Sequence, residues 1–331
     1  MRAFVITGPG VAGVEDVDEP PVRPGDVLVA VERAGVCGTD LEFFSGEMAY
    51  LRSGDAAYPV RIGHEWCGTV CAVGDGVPAS WLGQRVTGDT MLGCGTCDRC
   101  RSGRTHLCAD RYEIGIRRGW PGALAERLPV PEWALFPLPD SVDATAGAMV
   151  EPGGNALRAV RAAALAPGER LLVLGPGTIG LLAAFIAAAQ GADVHVLGLT
   201  VDFARSVGIT NAWTIDDLPE LRWDAVIDAS TGAELPALAA RLVEPGRRVV
   251  YIGISEQPSQ IDSRWFVLKD LTAVGILSAS GGLAGAIELY ASGAVDPRPL
   301  VDATLGLDDV ADVLARRRRH AAPKIHVRPT S

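Results

Sequence analysis

Four of the seven cysteines in this 331-residue chain fall within fifteen residues, in the stretch CGTCDRCRSGRTHLC. Cys94, Cys97, Cys100 and Cys108 follow the spacing C-x2-C-x2-C-x7-C. Four thiolates close a tetrahedral zinc shell and leave no position open for substrate or water. Such a site stabilises a loop and activates nothing. An iron–sulfur cluster is the competing occupant, because C-x2-C-x2-C also serves there. His106 lies inside the loop, but four sulfurs already suffice, so it is expected at the surface.

A second, quieter set is scattered along the chain. GVCGTD at 35–40 and GHE at 63–65 bring together a cysteine, a histidine and carboxylates, each in a glycine-flanked turn. An open zinc site uses about three protein ligands of mixed type plus a water. Taken singly, Cys37 reads as a small core residue and His64 as a satisfied structural histidine. Beside a strong zinc loop and a nucleotide turn, those readings lose ground. Cys67 and Cys71 read as small buried strand residues.

The nucleotide turn is Gly175-Pro176-Gly177-Thr178-Ile179-Gly180, directly after the apolar run Leu171 to Leu174 and opening a helix near Thr178. In a strand–turn–helix context, G-x-G-x-x-G places backbone N–H groups and a helix N-terminus against a pyrophosphate. A merely tight turn is the alternative. The next strand, DVHVLG, ends in Gly198-Leu199-Thr200 rather than in the acid that takes the ribose hydroxyls of NAD. Arg205 is placed to meet a 2′-phosphate, and Asp202 comes a few residues late, so NAD and NADP both stay open.

These residues must be positioned by two kinds of structure. Residues 1 to about 150 hold short β-like runs broken by Gly and Pro, such as VLVAVERAG, TVCAVGDGV and ALAERLPVP, which predict an irregular, mostly antiparallel β domain. From about 154, apolar strands alternate with Ala-rich helical segments in steps of roughly 20 to 30 residues. That pattern predicts right-handed βαβ units in a parallel sheet covered on both faces. At about 150 residues per domain, the length also suggests about two domains.

Bulk composition narrows the partners. The chain is 48% hydrophobic and 21% charged, which excludes disorder. A net charge of −10 repels phosphate backbones and anionic membranes, so no nucleic-acid or membrane partner is expected. The basic run Arg316 to Arg319 follows a helix-like pattern at Leu307 to Leu314 and reads as a solvated helix end. The N-terminus shows no signal-peptide pattern and no apolar run reaches about 20 residues, so a cytoplasmic protein is expected. An odd cysteine number favours metal binding or burial over a disulfide framework.

At these residues the chain resembles the zinc-containing medium-chain dehydrogenase/reductase family, the alcohol and polyol dehydrogenases. GVCGTD, GHEWCGTV, the four-cysteine loop, VEPGGNALRAV at 150–160 and GPGTIG occur in that order across nearly the whole chain. The resemblance implies a GroES-like, mostly β catalytic domain over 1–153 and a Rossmann domain, a doubly wound parallel sheet, over 154–280. Residues 281–331 would return to the catalytic domain. It further implies two zinc ions per chain, NAD or NADP, and a homodimer or homotetramer formed through the edge strand in LTAVGIL.

Catalytic zinc would be held by Cys37 and His64, with Glu65 and Glu151 as the remaining candidates; the EP after Val150 is similar to the sorbitol, threonine and glucose dehydrogenase branch. Asp40 would orient His64 by accepting its other ring N–H, and Thr39 would pass a proton toward solvent. Polyol and threonine dehydrogenases often carry a histidine two residues after CGTD. Glu42 stands there in this chain, as in glucose dehydrogenases, where it would bond substrate hydroxyls; a solvated glutamate is the competing reading. The resulting expectation is hydride transfer between NAD(P) and a secondary alcohol of a polyol, sugar or cyclitol, with zinc lowering the pKa of the hydroxyl. Amino alcohols, aminocyclitols or simple secondary alcohols are the nearest alternative, and a non-catalytic redox sensor binding zinc and nucleotide is the alternative of another class. Zinc-free quinone reductases lack both cysteine features.

Overall fold

The computed structural model describes residues 1–331 except Glu256, Arg318, Arg319 and Ser331. The chain divides into two compact units, Met1–Glu151 with Val301–Ser331, and Pro152–Leu300.

The first unit is built on the strand Asp26–Val36, whose sequence DVLVAVERAGV is rich in β-branched residues and buried along most of its length. Its seven-stranded sheet runs Leu135–Pro137, Arg85–Gly88, Glu65–Val73, Asp26–Val36, Lys324–Arg328, Val301–Gly306, with Arg127–Pro131 pairing to the central strand as well. One edge of Asp26–Val36 is divided between two partners: Arg127–Pro131 covers Asp26 to Ala30, and Lys324–Arg328 covers Ala34 to Val36. The other edge takes Glu65–Val73 antiparallel, with Gly35 opposite Glu65 and Arg33 opposite Cys67. Phe4, Ile6, Phe43, Ile62, Trp66, Leu124 and Leu128 fill the core beneath.

The second unit carries a six-stranded, all-parallel sheet in the order Ala212–Trp213, Asp193–Leu197, Arg170–Leu174, Trp223–Asp228, Val243–Tyr251, Thr272–Gly275. Numbered by sequence, that is 3-2-1-4-5-6, the doubly wound order that puts a ligand crevice where the winding reverses, beyond Leu174. The helix Thr178–Ala189 is apolar nearly all round and buries Leu181, Leu182, Ile186 and four small residues, as expected of a helix covering a parallel sheet.

Three expectations shift. The chain passes back into the first unit at Val301, later than the expected 281, because the helix Leu283–Ala291 packs on the second unit: Ala279 and Leu283 lie against Gly154, and Tyr290 against Gly153. Cys67 is buried as expected, and its thiol is pushed up to about 12 by burial. Cys71 is exposed, because the burial of Glu65–Val73 fades toward its C-terminal end. The helix expected at Leu307 to Leu314 is a 3-10 turn, Leu307–Asp309, followed by a short α-helix, Val310–Leu314. Arg317 pairs with Asp312 at 3.0 Å, while Arg318 and Arg319 of the basic run lie outside the described residues. Among the described residues, no helix is long and apolar enough to cross a membrane.

Candidate active site

Cys37 ends the central strand region and caps the helix Gly38–Ser45 from an extended backbone. Asp40 sits at the third helical position, where its Oδ2 accepts the Cys37 N–H at 2.9 Å and its own N–H donates to the Cys37 sulfur. This reciprocal cap is the local reason for the CGTD spelling, since it fixes the sulfur at a helix N-terminus, where thiolate charge is favoured. His64 and Glu65 arrive on the adjacent strand. The Cys37 Sγ lies 3.0 Å from His64 Nε2, and the ligating atoms of Cys37, His64 and Glu65 are all within 4.8 Å of one another.

Charge around His64 is lopsided. Burial opposes its protonation, yet Cys37, Asp40 and Glu151 together hold its pKa well above the ordinary value. Surplus negative charge around an imidazole and a thiol, with His64 Nδ1 and Asp40 Oδ1 left without hydrogen-bond partners among the described residues, is the donor chemistry that a dication satisfies. The residues therefore fit an open zinc site. Asp40 was expected to accept the second ring N–H of His64. Its Oδ1 stands 3.9 Å from Nδ1, on the correct side of the ring but beyond hydrogen-bond distance.

Glu65 is held in the site by a buried ion pair. Lys324 donates to both of its carboxylate oxygens at 2.7 Å and to the Val36 carbonyl at 3.0 Å, with Lys324 2% and Glu65 3% exposed. Gly35 makes the pairing possible: the two side chains meet across the central strand, and a Cβ at Gly35 would collide with Glu65 Oε2. Glu151, buried near the start of the helix Val150–Ala163, supplies charge to His64 without belonging to the tight three-residue group. Thr39 and Glu42 lie half-buried on the helix that Cys37 caps.

Sequence reasoning missed Lys324. Its one signal was a lysine placed in the apolar strand KIHV, 259 residues from its partner. Lys324→Met should destabilise the protein by about 3–5 kcal/mol, because it strands a buried carboxylate. Adding Glu65→Gln should recover most of that loss. Equilibrium unfolding in urea checks both. Equal stability of Lys324→Met and the parent would show that the pair contributes nothing.

The four-cysteine loop fits its expected role. Cys94, Cys97, Cys100 and Cys108 have all four sulfurs within 4.8 Å, with Cys94–Cys100 at 4.0 Å and Cys97–Cys108 at 3.8 Å. A tetrahedral shell with Zn–S near 2.3 Å has edges of about 3.8 Å. Hydrogen bonds from the Thr96 hydroxyl and the Thr96 and Cys97 amides lower Cys94 to about 6, so thiolate is readily held there. His106, expected at the surface, is buried on the turn Thr105–Leu107 and stays outside the sulfur group.

In the second unit, the glycine turn has the geometry its spacing predicts. Gly175 adopts φ +95°, Gly177 caps the helix Thr178–Ala189 with open space where a side chain would stand, and Gly180 packs against the Gly175 carbonyl. Pro176 covers Gly198 at the end of the next strand. Thr200 is exposed there, and Arg205 donates to the Ala212 carbonyl at 2.7 Å.

A doubly wound nucleotide unit joined to a β unit with one closed thiolate site and one open Cys/His/carboxylate site defines a zinc- and nucleotide-dependent dehydrogenase. Residues 23–140 match the family description "Alcohol dehydrogenase GroES-like domain". L-threonine 3-dehydrogenase of Idiomarina loihiensis is 34% identical over 278 residues, 79% of each chain. Among solved structures, a zinc-binding dehydrogenase of Sinorhizobium meliloti bound to NADP is 30% identical with TM-score 0.90, covering 99% of both chains. Galactitol-1-phosphate dehydrogenase of Escherichia coli is 25% identical with TM-score 0.88, covering 99% of this chain and 100% of that one. The chain belongs to the zinc-containing medium-chain dehydrogenase/reductase family and is a zinc-binding, NAD(P)-dependent alcohol dehydrogenase.

Proposed function

We propose that this enzyme oxidises a secondary alcohol of a polyol, sugar or cyclitol, and that Cys37 and His64 hold the catalytic zinc with Glu65 or Glu151 as the third protein ligand. The observation carrying the reading is the 3.0 Å approach of Cys37 Sγ to His64 Nε2 with a carboxylate beside them. Glu65 already lies within 4.8 Å of the other two ligating atoms while Lys324 holds it, and Glu151 acts on His64 through its charge. Zinc, when bound, lowers the pKa of the substrate hydroxyl, and the nicotinamide accepts the hydride. Asp40 keeps the Cys37 sulfur in place through the helix cap, Thr39 passes the hydroxyl proton outward, and Glu42 accepts a hydrogen bond from a neighbouring substrate hydroxyl. Gly175, Pro176, Gly177, Thr178, Ile179 and Gly180 receive the cofactor pyrophosphate. Thr200 and Arg205 lie on the side that would meet the adenosine ribose.

A second reading is an amino alcohol. Its support is the relative named L-threonine 3-dehydrogenase, and Glu42 could pair with an ammonium as well as with a hydroxyl. A homodimer or homotetramer through the edge strand Thr272–Gly275 is supported by exposed Val267 and Leu268 beside it. Seven unbridged cysteines support a cytoplasmic location.

The deciding experiment is a panel of polyols, sugars, amino alcohols and simple alcohols, each with NAD and NADP, followed by nicotinamide absorbance. The expected result is the highest kcat/KM on a polyhydroxylated secondary alcohol. A preference for L-threonine would move the assignment to the amino-alcohol reading. Cofactor binding without turnover on any alcohol would support the sensor and remove both.

A further inference from the structure

The four-cysteine loop is a hairpin closed at its base by the pairs Met91–Glu113 and Leu92–Tyr112. Arg111, three residues beyond the last cysteine, joins that base to a different part of the chain. It donates to the Cys108 carbonyl at 3.1 Å, to Glu113 Oε1 at 2.8 Å and to the Tyr50 hydroxyl at 3.0 Å. The Tyr50 hydroxyl in turn donates to Glu113 Oε1 at 2.9 Å. A second guanidinium repeats the clamp: Arg117 lies 5.6 Å over the Tyr50 ring, pairs with Asp55 at 2.7 Å, and donates to the Ala109 and Arg111 carbonyls.

Tyr50 belongs to the short helix Ala49–Ser53, and the residues just before it bond to the end of the helix that Cys37 caps. The Glu47 and Met48 N–H groups donate to the Glu42 carbonyl at 2.9 and 3.1 Å, so the placement of residues 48–50 sets how the helix Gly38–Ser45 ends. The ion pair of Arg111 and Glu113 is 13% and 3% exposed, and such a pair holds firmly only while its geometry is complete. That geometry depends on Cys108, whose carbonyl anchors Arg111 and whose sulfur belongs to the thiolate shell.

We propose that Arg111 and Tyr50 are positioning residues that make the order of residues 42–58 depend on metal at the four cysteines. The kinetic consequence, a change in KM, rests on reading Glu42 as a substrate contact. The coupling itself does not.

The test is hydrogen exchange on the full-length protein, with zinc counted by mass spectrometry, for the parent, Cys100→Ser, Arg111→Met and the double variant. Cys100→Ser, carrying one zinc, should speed exchange across 42–58 by roughly ten- to a hundred-fold, and Arg111→Met should do the same while keeping two zincs. The double variant should add little to either, since both break one chain of contacts. Unchanged exchange in 42–58 on loss of the loop zinc, or fully additive effects, overturns the coupling. Should Arg111→Met fail to fold, Tyr50→Phe removes only the shared hydroxyl and leaves the ring beneath Arg117, so the same comparison stands. KM for the best alcohol of the panel separates the two readings. A raised KM at constant kcat supports both; faster exchange with unchanged KM keeps the coupling and removes Glu42 from the substrate.

Discussion

Cys37→Ser is expected to abolish turnover while leaving the fold in place. A serine hydroxyl does not ionise near neutral pH and is a poor zinc ligand, so the variant should carry one zinc per chain, at the four cysteines. Removing the Lewis acid withdraws several kcal/mol of charge stabilisation, so kcat/KM should fall at least about 10³-fold. Structure should survive because Cys37 is half-buried and its backbone acts as a helix cap, a position where serine is among the preferred residues. The exchange of hydrogen bonds with Asp40 can persist through the hydroxyl. Melting temperature, zinc content and turnover on the best alcohol of the panel check the three parts. Near-normal activity in a one-zinc variant would falsify the assignment of Cys37.

Most of the architecture was legible because its signals are local. The alternation of apolar strands and Ala-rich helices fixes a parallel sheet from residues a few positions apart, and the glycine turn carries its geometry in six residues. The thiolate loop is similar: once four sulfurs lie within fifteen residues, the metal brings them together and little else has to be known. What escaped is what depends on distant partners. Lys324 looks like an odd lysine in an apolar strand until the C-terminal strand takes the half of the Asp26–Val36 edge that Arg127–Pro131 leaves open. Only then do Glu65 and Lys324 face each other over Gly35. The handover at Val301 rather than 281 has the same origin, since the apolar face of Leu283–Ala291 does not say which unit it will cover.

The pairing of Lys324 with Glu65 also bears on the metal site. The Glu65 carboxylate, gripped at 2.7 Å through both oxygens, is held within 4.8 Å of the Cys37 and His64 ligating atoms, and each oxygen keeps a lone pair that a metal could take. Burial opposes the charge on Lys324, but Glu65 and Cys37 hold its pKa above the ordinary value, so the ammonium stays in place at neutral pH. Glu151 is buried and acts on His64 through its charge from outside the three-residue group. The two glutamates that the sequence presents as equals differ in the structure: one is paired with a lysine far away in the chain, and the other lies outside the three-residue group.

Cys100→Ser should separate the two metal sites in the opposite sense to Cys37→Ser. Three thiolates and a hydroxyl no longer close the shell around which residues 93–111 are folded, and the loop is tight enough there that a Cβ on Gly93 would stand 2.7 Å from the Cys100 sulfur. If about 4 kcal/mol of the metal's binding energy is lost, the melting temperature should fall by roughly 8–16 °C. Activity per remaining zinc should keep its kcat within about threefold, because Cys37, His64, Glu65 and Glu151 are untouched, with any loss appearing in KM through the Arg111–Tyr50 contact. A variant that melts with the parent yet loses kcat would mean that the four-cysteine site takes part in the chemistry, and that the closed shell has been misjudged as purely structural.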